Sequence, residues 1–107
     1  SLSRFLQKLP KFYNTPEIRI ECDDNEKFKI IKKIIFNQKK NGREFNDIDG
    51  IRINSNNGWW LLRASNTQPA IILRCEATSK DKLNKVIDDV KKEIKMVSNS
   101  LAKQILT

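Results

Sequence analysis

Residues 63–69, Arg-Ala-Ser-Asn-Thr-Gln-Pro, place a guanidinium, two hydroxyls and two amides within seven positions. Arg63 offers a planar fork of donors that stays protonated and can grip two oxygens of a phosphate or carboxylate at once. Ser65 and Thr67 add hydroxyl donors. Asn66 adds an amide and tolerates the left-handed backbone through which successive N–H groups turn into one concavity, and Pro69 fixes the exit. Such a set is suited to cradling an anion, each charge-assisted hydrogen bond contributing on the order of 1.5–3 kcal/mol. The same residues also suit an ordinary turn in which Ser, Asn and Thr satisfy their own backbone. Hydrolytic chemistry finds no support, because the chain has no histidine and no acid or base stands next to Ser65.

The segment must be positioned by the rest of a 107-residue chain, one domain in size and too short to add a second unit around a deep cleft. No apolar run approaches the ~20 residues that cross a bilayer, and the opening "SLSRFLQKLPKF" is charged throughout, with no signal-peptide core. The expectation is a cytoplasmic protein with no membrane partner. Because the chain opens on serine, it reads as a piece of something longer. Cys22 and Cys75 each end a predicted strand without metal-ligand spacing and read as buried reduced thiols.

Element order follows from periodicity. "SRFLQKLP" predicts a short helix ending at Pro10, and "KFYNTP" a connector stiffened by Pro10 and Pro16. "EIRIEC" alternates Ile18, Ile20 and Cys22 with Arg19 and Glu21, as a half-buried strand does. Asp23 and Glu26 offer a helix start. Phe28, Ile31, Ile34 and Ile35 then recur at helical spacing to about Asn41, where Gly42 stops the run. "DGIRI" and "GWWLLR" predict two strands around "NSNNG", whose Asn-Gly pair supplies the positive backbone angles of a tight hairpin. "AIILRCEA" predicts the fourth strand. Thr78 and Asp81 open a second helix on which Leu83, Val86, Ile87, Val90, Ile94, Val97 and Leu101 form one apolar stripe. The order βαβββα predicts an α+β fold: a four-stranded, largely antiparallel sheet with both helices on one face.

A net charge of +8 and a pI near 9.7 raise the possibility of a nucleic-acid partner, as do Trp59 and Trp60 if they stack bases on an open sheet face. Much of the excess is lysine spread over helix faces, which reads as a solvated surface. Adjacent tryptophans in a strand point to opposite faces, and no RNP-like aromatic motif occurs. A basic single-stranded nucleic-acid-binding domain is therefore the alternative, and no nucleic acid is the expectation.

"DGIRINSNNGWWLLRASNTQPAIILRCEA", residues 49–77, preceded by "LPKFYNTPEIRIEC", closely resembles the C-terminal domain of bacterial phosphomannomutase/phosphoglucomutase enzymes of the α-D-phosphohexomutase superfamily. The resemblance implies a fold like that of the TATA-binding protein. It also implies that residues 1–16 are the end of a preceding domain and a hinge, and that 17–107 form a C-terminal phosphate-binding domain. The full-length enzyme would be an isomerase of carbohydrate metabolism, interconverting hexose 1-phosphate and hexose 6-phosphate for mannose, glucose or both. By the same resemblance, Arg63, Ala64 through its backbone, Ser65, Asn66 and Thr67 grip the non-transferring phosphate of a phosphosugar, and Arg74 matches a further basic position. A simply paired hairpin puts Arg74 about four residues, roughly 13 Å, from the level of Arg63.

Gln68 stands where the superfamily often has Glu. Ala64 and Asn66 differ from the Pro and Gly usual in glucosamine mutases, and all three point to the mannose/glucose enzymes. "DIDGIR", residues 47–52, imitates the superfamily's metal loop, but Ile51 replaces the third carboxylate, so Asp47 and Asp49 are assigned no metal. The family's serine nucleophile, complete metal loop and sugar-recognition segment do not occur in the chain. The implied Mg2+ and bisphosphorylated hexose activator would be held by preceding domains of the same polypeptide, and this chain alone is expected to be catalytically silent.

Overall fold

The computed structural model describes residues 13–105, so the predicted helix ending at Pro10 lies outside the described residues. The elements are β1 (Tyr13–Asn14), β2 (Ile18–Glu21), α1 (Asp24–Lys40), β3 (Ile51–Asn54), β4 (Gly58–Ala64), β5 (Ala70–Ala77), α2 (Lys80–Val97) and α3 (Asn99–Ala102). The fold is α+β with an entirely antiparallel sheet, as predicted, but with five strands and a third, one-turn helix. The fifth strand arises because the edge strand is split. β1 pairs with β5 at Glu76 and Ala77, and β2 pairs with the same strand at Ala70 through Leu73. Pro16 lies in the gap, where its missing N–H interrupts a ladder. Part of the predicted connector is thus sheet: Thr15 N–H donates to Cys75 C=O at 3.0 Å. β5, β4 and β3 follow in order across the sheet.

Alternation divides each strand between two environments. Ile20, Ile51, Ile53, Trp60, Leu62, Ile71, Leu73 and Cys75 are buried and pack with residues of both long helices in one core. Both helices therefore cover the same face of the sheet. On α1 the inward stripe is Ile30, Ile31 and Ile34 with the buried polar Lys27 and Gln38. Phe28, expected in that stripe, is exposed, because the contact face is rotated toward Lys27 and Ile30. The Asp23 side chain makes no capping hydrogen bond, so the expected box with Glu26 does not form. The helix start is supported instead by acidic residues in the first turn and lysines in the last, matching the helix dipole. On α2 the cap is Ser79, one residue later than expected, with its hydroxyl accepting from Lys82 N–H at 3.1 Å. The apolar stripe runs as predicted to Val97, and Leu101 belongs to α3.

One polar cluster ties the helical layer to the sheet. Arg43, just after α1, donates through both terminal nitrogens to the carboxylate of Asp89 on α2, the Nη1 bond being 3.0 Å. Trp60 Nε1 donates to the same carboxylate at 3.0 Å. Burial alone would raise the Asp89 carboxyl, but the Arg43 and Trp60 hydrogen bonds and the Arg43 charge outweigh it and hold it below its ordinary value.

Candidate functional site

The face of the sheet that the helices leave open is built in rows fixed by register. Arg63 on β4 pairs with Ile72 on β5, which pairs on its other side with Arg19 on β2. In the next row Arg52, Leu61 and Arg74 lie abreast on β3, β4 and β5. Beyond them stand Asn54, Trp59 and Glu76. Four arginines therefore share one face. Arg52 lies over the Trp59 ring at 4.3 Å from its centroid, and Trp59 Nε1 donates to Glu76 at 2.9 Å.

This register corrects the predicted distance between Arg63 and Arg74. Pairing continues past Arg63 through Ala64 and Ile71, and Ser65 N–H donates to Ala70 C=O at 2.9 Å, so the loop proper is Ser65–Pro69. Arg74 is consequently two residues from the level of Arg63, not four, and lies diagonally across from it on the same face. That spacing is about 7 Å, within reach of long side chains. Gly50 (φ +81) permits the approach of the neighbouring strand, since a Cβ there would lie 2.8 Å from Cβ of Arg63 and 2.1 Å from Leu62 O.

The turn holds itself. Ser65 Oγ accepts from the N–H groups of Thr67 at 3.4 Å and Gln68 at 3.2 Å. No residue other than glycine has a positive φ among the described residues, so the left-handed backbone expected at Asn66 does not occur, nor does one at Asn57 in the other hairpin. The Ser65 side-chain turn takes the place of a left-handed cradle. Its hydroxyl proton stays available to an external acceptor, because only its lone pairs are engaged. Asn66 and Thr67 are exposed, and Ala64 packs its methyl against the edge of the core.

The far side of the turn is anchored. Cys22 N–H donates to Pro69 C=O at 2.9 Å, and Lys27 Nζ donates to Gln68 C=O at 3.0 Å and to Asp24 at 2.8 Å. Lys27 is 5% exposed, an uncommon burial for a lysine and one that its two partners explain. The Arg19 guanidinium donates to the Gln68 side-chain carbonyl. Arg63 is half exposed, and its Nη1 lies 3.7 Å from Asp49 Oδ2.

Asp49 is thus the neighbour of Arg63, and Ile51, where a third metal-binding carboxylate would be needed, is fully buried in the core. The donor set around Asp47 and Asp49 does not fit a magnesium ion, which seeks six oxygen ligands in octahedral array. Cys75 is buried and its thiol is pushed up to about 12 by desolvation, which suits a reduced core residue. Cys22 is half-buried and raised also, first by burial and then by Asp23 and Glu26.

Sequence reasoning singled out Arg63 and Arg74 and passed over Arg19, Arg52 and Lys27. Period-two alternation already puts the four arginines in the outward phase of their strands. Only strand register makes them neighbours, and only tertiary packing brings Lys27 beneath the turn.

The phosphoglucomutase/phosphomannomutase C-terminal domain model matches residues 17–93. A phosphomannomutase/phosphoglucomutase of Pseudomonas aeruginosa is 34% identical over 92 residues, covering 86% of this chain and 20% of the relative. A phosphoglucosamine mutase of Methanocaldococcus jannaschii is 32% identical over 102 residues, covering 94% of the chain and 22% of the relative. A phosphoglucomutase/phosphomannomutase family protein of Burkholderia thailandensis superposes with a TM-score of 0.70 at 36% identity, over 88% of this chain and 19% of that one. The chain spans about a fifth of the length of the relatives it matches. On its fold and on 77 consecutive matched positions, the chain belongs to the phosphoglucomutase/phosphomannomutase C-terminal domain family.

Proposed function

We propose that this chain is the phosphate-gripping wall of a cytoplasmic phosphohexomutase that interconverts the 1- and 6-phosphates of mannose, glucose or both. Arg63, the Ala64 backbone, Ser65, Asn66, Thr67 and Arg74 hold the phosphate that is not being transferred. The observation that carries this reading is the register of β4 and β5, which sets two guanidinium groups diagonally beside the Ser65 turn. Such a constellation positions without reacting. It binds an oxyanion through charge-assisted bonds and presents the rest of the ligand to groups supplied elsewhere. Gripping the phosphate and leaving the sugar free lets one clamp accept both orientations of a hexose that is phosphorylated at either end.

Preceding domains of the same polypeptide would supply the phosphoryl-carrying serine, the Mg2+ and the site of the bisphosphorylated hexose, with residues 1–16 as the hinge. Titrating the 107-residue chain with mannose 6-phosphate and glucose 6-phosphate tests the reading by amide chemical shifts. Shifts confined to residues 63–67 and the neighbourhood of Arg74 are expected, together with a blank mutase assay. Measurable turnover would overturn the silence of the isolated chain, and unmoved amides at 63–67 would remove the clamp. Tight, steeply salt-dependent binding of single-stranded RNA would put the nucleic-acid alternative in its place.

A further inference from the structure

We propose that Arg19 is a third guanidinium of this site, so that the phosphate seats over Ile72 between Arg19 and Arg63 with Arg74 alongside, and that the preferred ligand is a phosphomonoester dianion. The inference rests on the clamp reading above and extends it to a strand outside the Arg63–Thr67 segment. Ile72 pairs with Arg63 on one side and Arg19 on the other. Their Cα atoms therefore lie about 10 Å apart, twice the strand spacing, and Arg74 follows Ile72 on the same face about 7 Å along the strand. Three long side chains thus surround one half-buried isoleucine, which forms a floor without hydrogen-bonding groups of its own. A phosphate seated there can be reached from three directions, as a planar fork requires for paired contacts.

The electrostatics favour a doubly charged ligand. Arg19 Nη1 donates to a neutral amide oxygen of Gln68, so that hydrogen bond leaves the Arg19 charge in place. The carboxylate of Glu21 lies 3.8 Å from Arg19 Nε and is largely exposed, as is Asp49 beside Arg63. Lys27 beneath the turn adds a further positive charge, itself offset by Asp24. Attraction to each guanidinium scales with the charge of the ligand, so even with Glu21 and Asp49 beside two of the three arginines a phosphomonoester dianion is held more strongly than a monoanionic phosphodiester. With five N–H donors, Arg19 can keep Gln68 and still offer Nη2 to the ligand, linking the loop to the anion it holds.

The 107-residue chain is titrated with inorganic phosphate and, separately, dimethyl phosphate at about pH 8, where free phosphate is mainly dianionic, with amide shifts as the readout. Arg19→Gln is expected to weaken phosphate binding at least about 10-fold, and Arg19→Lys, which keeps the charge and loses the fork, by a smaller factor. Arg52→Gln removes the same charge from the same face but away from Ile72, and should change binding by less than about 3-fold, as should Gln68→Ala. An Arg19→Gln loss no larger than that of Arg52→Gln overturns the proposal. So does a Gln68→Ala loss equal to that of Arg19→Gln, because Arg19 would then act only through the loop. Dimethyl phosphate binding as tightly as phosphate overturns the dianion preference. If Arg63→Ala abolishes binding while Arg19→Gln does not, the clamp stands and only this inference falls. If phosphate moves no amide in residues 63–67 of the unaltered chain, both fall together.

Discussion

Trp59 and Trp60 are adjacent in one strand, yet they divide the molecule. Trp60 is 1% exposed, sits in the core, and gives its indole N–H to Asp89, which Arg43 grips from the other side. Trp59 lies half exposed on the open face, gives its N–H to Glu76, and carries Arg52 on its ring. Each indole thus has a carboxylate and an arginine nearby, and the pleat decides what those partners accomplish. Inside, the cluster welds three elements of the fold. Outside, the same residue types lie in a field of arginines that the fold does not require. Alternation along a strand therefore separates stability from recognition one residue at a time, and substitutions on the two faces should report different quantities.

The inner face should show the largest effect. Trp60→Ala empties a filled core position and strands Asp89, and an urea unfolding curve should show a loss of about 3–5 kcal/mol. A cost near that of an exposed substitution would mean the core closes without the indole. Next comes the outer face, where Arg63→Ala in the whole enzyme should lower kcat/KM by roughly 10- to 1,000-fold, on the order of 1.5–4 kcal/mol. The same substitution should leave the unfolding midpoint of this chain almost unmoved, since the half-exposed pair with Asp49 contributes little. An unaltered kcat/KM removes Arg63 from the binding face, and a large stability loss breaks the proposed separation of roles.

Where sequence patterns failed, they failed at the join between elements. Alternation in "IRI", "GWWLLR" and "AIILRCEA" was legible because one face of each strand meets the core, where Ile51, Ile53, Trp60, Leu62, Leu73 and Cys75 are buried at alternate positions. Split pairing of the edge strand was not legible, because β1 is two residues long and carries no period. The turn chemistry of residues 63–69 was legible as composition, but its closure depended on the Ser65-to-Ala70 hydrogen bond, which shortened the loop and moved Arg74 beside Arg63. Arg19 could not be placed at all, since it reaches the site from a strand 44 positions earlier than Arg63 in the chain. Buried Lys27 reads in sequence as one more lysine on a basic helix. Its role comes from the loop carbonyl that tertiary packing sets above it.

The inner cluster also has an acid limb. Asp89 is held below its ordinary value in the folded chain, so its contribution is complete above the unfolded carboxyl pKa of about 3.9 and is lost as pH falls through the lower folded value. Asp89→Asn should cost about 1–3 kcal/mol near neutrality and flatten the part of the acid unfolding profile that this carboxyl contributes. An acid profile left unchanged by Asp89→Asn would remove this carboxyl from the stability that the inner face supplies.

Smallest of all should be the loss of the outer indole. Trp59→Ala removes a ring packed on a single side, one partly exposed hydrogen bond to Glu76 and the stacking of Arg52, which at such sites contributes about 0.5–1 kcal/mol. A total near 1 kcal/mol, well under that of Trp60→Ala, is the expected result in matched urea titrations. Comparing Trp59→Ala, Arg52→Ala and the double variant isolates the stacking, and the two single losses should exceed the double loss by no more than about 1 kcal/mol. Phosphate affinity should stay within about 3-fold, because Trp59 lies two rows from Arg63 and its ring is already engaged by Arg52. A loss approaching that of Trp60→Ala would mean that the open face helps to hold the fold. Its arginines would then be tied to packing and no longer free to serve as a surface for anions.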